Sequence, residues 1–150
     1  MVKQIMHTFF YPHPVAIVWD YLTRPELMAE WLMKNDFEPI VGHAFTFRTS
    51  PIEKLAFDGI IYCTVLELVP QKKLVYSWKL GPGGGKIELD SIVTWTLREK
   101  EQGTELLLEH TGMKEANFDM YMAMNEGWRK NIQKINDLIN ASKNVETKSE

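Results

Sequence analysis

Hydrophobic and polar residues alternate through HAFTFRT, KLVYSWKL, DSIVTWTLRE and GTELLLEHTG. A two-residue period predicts strands with one buried face. It places Phe45 and Phe47 together, then Leu74, Tyr76 and Trp78, then Val93, Trp95 and Leu97. In the last of these segments Leu106, Leu108 and His110 lie opposite Glu105 and Glu109, so the carboxylates are expected in water and the imidazole inside. Residues 2–11 read as a further strand, ended by the two prolines of YPHP. FDGIIYCTVLELVP is a long β-branched run closed by Pro70.

The period changes to that of a helix in three places. PVAIVWDYL spaces Val15, Val18, Trp19 and Leu22, and RPELMAEWL restarts at Pro25 with Leu27, Met28, Trp31 and Leu32; proline suits the first turn of each. From about Phe118 a longer stripe runs through Tyr121, Met124, Trp128, Ile132, Ile135, Leu138 and Ile139. Gly127 interrupts it at a cost of about 1 kcal/mol relative to alanine, and a close backbone approach is the expected reason. The pattern gives a single α+β domain over residues 1–141: a curved antiparallel sheet of about six or seven strands, two short helices after the first strand, and a long C-terminal helix on the concave side. Residues 142–150 read as a polar, frayed tail.

The stretch LGPGGGKIEL, residues 80–89, ends in Gly-Lys like a phosphate-binding loop. The likeness stops there. A P-loop needs four residues between its glycines, a hydroxyl residue after the lysine and a helix beyond. Here Ile87 follows Lys86 and the chain resumes strand-like alternation, so the stretch is expected to be a hairpin tip, hanging as a mobile flap over an entrance.

Composition narrows the function. Hydrophobic residues at 45%, charged residues at 25% and a formal charge of -3 are ordinary globular values without the basic footprint of a nucleic-acid binder. No apolar run is long enough to span a membrane, and MVKQIMHTFFYPHP is too short and interrupted for a signal peptide, which gives the expectation of a cytoplasmic protein without membrane insertion. The lone Cys63 has no disulfide partner and no base near it in sequence, and it reads as a small buried hydrophobe. His7, His13 and His43 have no companion at metal-ligand spacing, so neither a metal nor another cofactor is expected.

The ordered set PVAIVWDYLTRPELMAEWL, GHAFTFRT, VLELVPQKKLVYSW, SIVTWTL, GTELLLEHTG and NEGWRKNIQKI, spread over residues 4 to about 140, resembles the START-like (SRPBCC, helix-grip) superfamily. Within it the chain is similar to the family of the C-terminal domain of the activator of heat-shock protein 90 ATPase. The resemblance implies a helix-grip fold and a cavity between helix and sheet. On that basis the expected function is non-enzymatic binding of a small, mostly apolar ligand such as a lipid, with Phe45, Phe47, Trp78, Trp95, His110, Met113, Met124 and Trp128 as its lining and plain core packing as the alternative for the same residues. Trp19 and Trp31 fit a structural role over one mouth. His43, where the family often has a second glycine, and Cys63, where it commonly has a glycine, are departures expected to narrow the space.

Two other functions follow from the resemblance. One is a co-chaperone-like, stress-response module acting on heat-shock protein 90; because the resembled activator carries an additional N-terminal domain and this chain begins at the START-like strand, it ranks second. The other is an enzyme of the cyclase or hydrolase type, for which no nucleophile, base and orienting group assemble from these residues. The oligomeric state and the ligand's identity are left open by the sequence.

Overall fold

A computed structural model describes residues 3–148. Val2, the first residue of the expected opening strand, and residues 149–150 of the expected tail lie outside the described residues. Strand β1 (Lys3–Tyr11) leads into helices α1 (Val15–Thr23) and α2 (Pro25–Trp31). A two-residue strand β2 (Lys34–Asn35) precedes β3 (Ala44–Arg48), β4 (Ile60–Val69), β5 (Lys73–Leu80), β6 (Leu89–Lys100) and β7 (Gly103–Met113). Helix α3 (Phe118–Lys148) follows and continues through residues 142–148, which the sequence assigned to the tail. The seven strands form one curved antiparallel sheet in the order β1-β7-β6-β5-β4-β3-β2.

The alternation predicted the faces. Phe45, Phe47, Leu74, Tyr76, Trp78, Val93, Trp95, Leu97, Leu106, Leu108 and His110 are all buried. Glu105, on the outer face of β7, meets Arg98 and Lys100 of β6. Proline opens the helices as expected: Pro14 stands just before α1, and Pro25 is the first residue of α2.

Two local readings are corrected, those of the run from Phe57 and of Gly127. The run from Phe57 does not begin a strand; β4 starts at Ile60, and Glu53–Leu55 is a 3-10 turn closed by Ala56 in the left-handed region. At the tip between β6 and β7 the positive φ values belong to Glu101 and Gln102, whereas Gly103 is required because a Cβ there would lie 2.5 Å from the Tyr11 carbonyl oxygen. Gly127 makes no close backbone approach: a Cβ there would meet nothing within 4 Å.

Polar side chains of β1 and the following turn fasten α3 over the sheet. The Tyr11 hydroxyl donates to the Ile132 carbonyl at 2.9 Å. His7 Nε2 lies 2.9 Å from Asn125 Oδ1, and His13 Nε2 lies 3.2 Å from Asn136 Oδ1. Along the helix Trp128, Ile132, Ile135 and Ile139 bury the apolar stripe that the helical period required.

Candidate functional site

The helix and sheet do not meet everywhere. A cavity of about 180 Å3 lies between one end of the sheet and the first half of α3. Helix α3 contributes Met120, Ala123, Met124, Gly127, Trp128 and Asn131. The sheet contributes Ile61, Trp78 and Leu80, and Leu32 with Met33 closes the side below α2. The irregular segment between β3 and β4 supplies Thr49, Ile52, Leu55 and Phe57. Thr49, Ile52 and Ala123 are exposed and mark the rim. The missing side chain at Gly127 is part of the reason for the space, since the helix presents only backbone there.

Apart from Thr49 and Asn131 the cavity presents apolar surface, and its lining holds no carboxylate, histidine, cysteine, lysine or arginine. Such a surface takes up an apolar guest by removing its area from water, at about 25 cal/mol per Å2. Size limits the guest. An apolar cavity of about 150 Å3 accommodates benzene, whereas drug-sized ligands occupy about 300–1,000 Å3. A single ring or a short branched chain fits this space.

Of the eight residues expected to line a cavity, Trp78, Met124 and Trp128 do so. Phe45, Phe47, Trp95, His110 and Met113 are buried but stand behind the wall. The aromatic ones form a chain of rings. Centroid separations are 5.3 Å from Phe45 to Phe47, 5.4 Å from Phe47 to Trp78, 5.1 Å from Trp78 to Trp128 and 5.4 Å from Trp128 to Trp95. Trp31 continues it, packed edge-on to Trp95 at 5.7 Å. The edge-to-face contacts among these, Phe45–Phe47, Trp128–Trp95 and Trp31–Trp95, each add about 0.5–1.5 kcal/mol beyond area burial.

His110 is a connector within this wall. Trp128 Nε1–H donates to His110 Nδ1 at 3.0 Å, which makes Nδ1 an acceptor and puts the imidazole proton on Nε2. That Nε2–H faces Ser91 Oγ at 2.8 Å, and the Ser91 hydroxyl donates onward to the Trp78 carbonyl at 2.7 Å. One directed chain of hydrogen bonds thus ties α3 to β7, β6 and β5. Both ring nitrogens are satisfied only in the neutral form, and burial pushes the His110 pKa down to about 3.

His43 and Cys63 do not narrow the cavity. His43 stacks beside Phe45 and meets the Asp36 carbonyl and Glu38, away from the lining. Cys63 is buried, and desolvation pushes its thiol pKa up, away from the thiolate. The glycine loop contributes no residue between 81 and 86 to the wall. It is a tight tip in which Gly83, Gly84 and Gly85 adopt positive φ, and Gly81 accepts a hydrogen bond from the Asp58 N–H at 2.9 Å. It therefore braces the segment that carries Leu55 and Phe57 and is not itself the cover of an entrance.

Reading by period missed Leu32, Met33, Leu55, Phe57, Leu80 and Met120 as wall residues. Leu80 and Met120 lie on predicted elements; Leu55 and Phe57 lie on irregular backbone, where no period exists to find them.

The sequence matches the family described as activator of Hsp90 ATPase homolog 1-like protein over residues 12–140. The chain belongs to that family. Protein MLL2253 from Mesorhizobium loti is 33% identical, superposes with a TM-score of 0.82, and the match covers 93% of this chain and 98% of that one. The Aha1 dimer from Colwellia psychrerythraea has the same fold at 19% identity, with a TM-score of 0.73 over 90% of this chain and 94% of that one. Protein BH1534 from Bacillus halodurans is 23% identical with a TM-score of 0.72, over 91% and 98% of the two chains. No curated protein matches the sequence. No helix among the described residues is long and apolar enough to cross a membrane, and no group of metal-ligating side chains assembles among them.

Proposed function

We propose that this member of the family is a non-enzymatic binding domain that encloses a small, mostly apolar molecule between the sheet and α3. The observation that carries this reading is the cavity of about 180 Å3, whose lining is apolar and free of titratable groups. Its size directs the reading toward a ring-sized guest. Acid–base or nucleophilic chemistry draws on side chains that this wall does not present.

Titration of the purified protein with benzene and toluene, followed by thermal unfolding and calorimetry, tests the proposal. Binding at a hundred times the dissociation constant adds about 2.7 kcal/mol to stability. Unchanged unfolding across a panel of such probes, with no heat of binding, contradicts it.

The family supports a second reading, an interaction with an Hsp90-type chaperone through the outer surface. Addition of the protein to its host's chaperone, with ATP hydrolysis as the readout, separates the two. A changed rate that persists when the cavity is blocked by Gly127→Phe favours the surface; an unchanged rate removes this reading.

A further inference from the structure

Within the aromatic wall the indole N–H groups are accounted for, with one exception. Trp128 Nε1–H has His110. Trp95 Nε1–H donates to the Tyr76 hydroxyl at 2.9 Å, and Trp31 Nε1–H to the Tyr21 carbonyl at 2.7 Å. Trp78 Nε1–H is buried and has no acceptor among the described residues. An unmet buried donor costs about 1–3 kcal/mol, and a folded protein leaves few of them. The exception belongs to a residue of the cavity wall, since Trp78 is one of its lining residues and only 3% exposed.

We propose that Trp78 Nε1–H is the polar recognition group of the cavity, and that the guest is a ring-sized apolar molecule carrying one uncharged hydrogen-bond acceptor, a carbonyl or ether oxygen. This inference rests on the cavity being a binding site. The chemistry of the wall defines the acceptor. A carboxylate or phosphate would bring a full charge into a lining with no cation to meet it, which is strongly unfavourable. A hydroxyl or amine would arrive with donors of its own, for which the deep wall offers no acceptor side chain; Thr49 and Asn131 are the remaining polar side chains of the lining, and neither is buried. A carbonyl or ether satisfies the indole and leaves nothing unpaired. Water does not reach Trp78 Nε1, so the guest must shift side chains to meet it. Met124, unbranched and partly buried in the same wall, is suited to move.

Acetophenone and α-methylstyrene form a matched pair of probes, equal in shape and differing in a carbonyl oxygen against a methylene. Their dissociation constants are measured for the wild-type protein and for Trp78→Phe. The preference for the ketone over the alkene is expected to fall by about threefold to tenfold in the variant, the worth of one neutral hydrogen bond. In the wild-type protein, where folding of the variant is not at issue, the nitrogen-15-resolved indole proton of Trp78 is expected to move downfield with the ketone and not with the alkene. If both probes bind, the ratio is the same in the two proteins and the indole proton responds alike to both, the donor is idle and the inference is overturned while the cavity remains a binding site. If neither probe binds, the binding reading fails and takes the inference with it.

Discussion

The interior under α3 has two parts built in different ways. Toward β6 and β7, Trp95, Trp128, Trp31 and His110 fill the space with flat rings whose nitrogens are satisfied by protein partners. Toward β4 and the segment before it, Ile61, Leu55, Phe57, Leu80 and Met124 form an apolar wall, Gly127 adds no side chain, and a cavity remains. The same helix is fixed on one side and spans open space on the other. Rigid, hydrogen-bonded packing holds α3 in place, so the neighbouring half need not be filled for the fold to persist.

The largest expected effect of breaking this contrast is in the solid half. Trp128→Ala removes a buried ring from the centre of the aromatic chain and leaves His110 Nδ1 without its donor, a loss of about 3–5 kcal/mol. Met124→Ala, in a partly buried wall position, is expected to cost less than about 2 kcal/mol, below the range for a filled core site. Urea unfolding of both variants checks the order; equal losses would erase the distinction.

The next effect depends on pH. His110 titrates at about 3 in the fold, against 6.5 for an ordinary imidazole, so between these values the unfolded chain holds more protons. The stability contributed by the neutral imidazole is complete above about pH 6.5 and is lost as pH falls toward 3, by up to about 1.4 kcal/mol per unit. The advantage of the wild type over His110→Gln is therefore expected to shrink as unfolding is measured from pH 7 down to 4. His13, also shifted downward by burial, is present in both proteins and cancels. A pH-independent difference would show that His110 does not titrate on unfolding.

The smallest effect sharpens the hollow side. Gly127→Ala is expected to raise stability by about 0.5–1 kcal/mol, because alanine favours the helix and its methyl group has open space. A destabilised variant would mean that the space beside Gly127 is not there.

These residues also show how far the sequence could be read. Alternation identified the buried faces of β3, β5, β6 and β7, and the helical period identified the stripe of α3, because each face is a property of one local element. His110 was placed inward by the same rule, but its role as a connector was not visible, since Trp128 and Ser91 belong to other elements. The cavity was least legible. It exists where side chains from the turn after α2, from α3, β4, β5 and an irregular segment fail to meet, and that shortfall of volume belongs to no single segment. Gly127 illustrates this: a glycine in a helix signals either close approach or open space, and only its neighbours across the gap decide which.

Xenon under pressure, followed by diffraction from a crystal of the protein, tests the central claim most directly, because an apolar cavity of this size binds xenon. The account predicts a xenon atom between Ile61, Leu80, Met124 and Trp128, with the aromatic chain behind it unmoved. An interior without xenon, in which these four side chains close on one another, would contradict it.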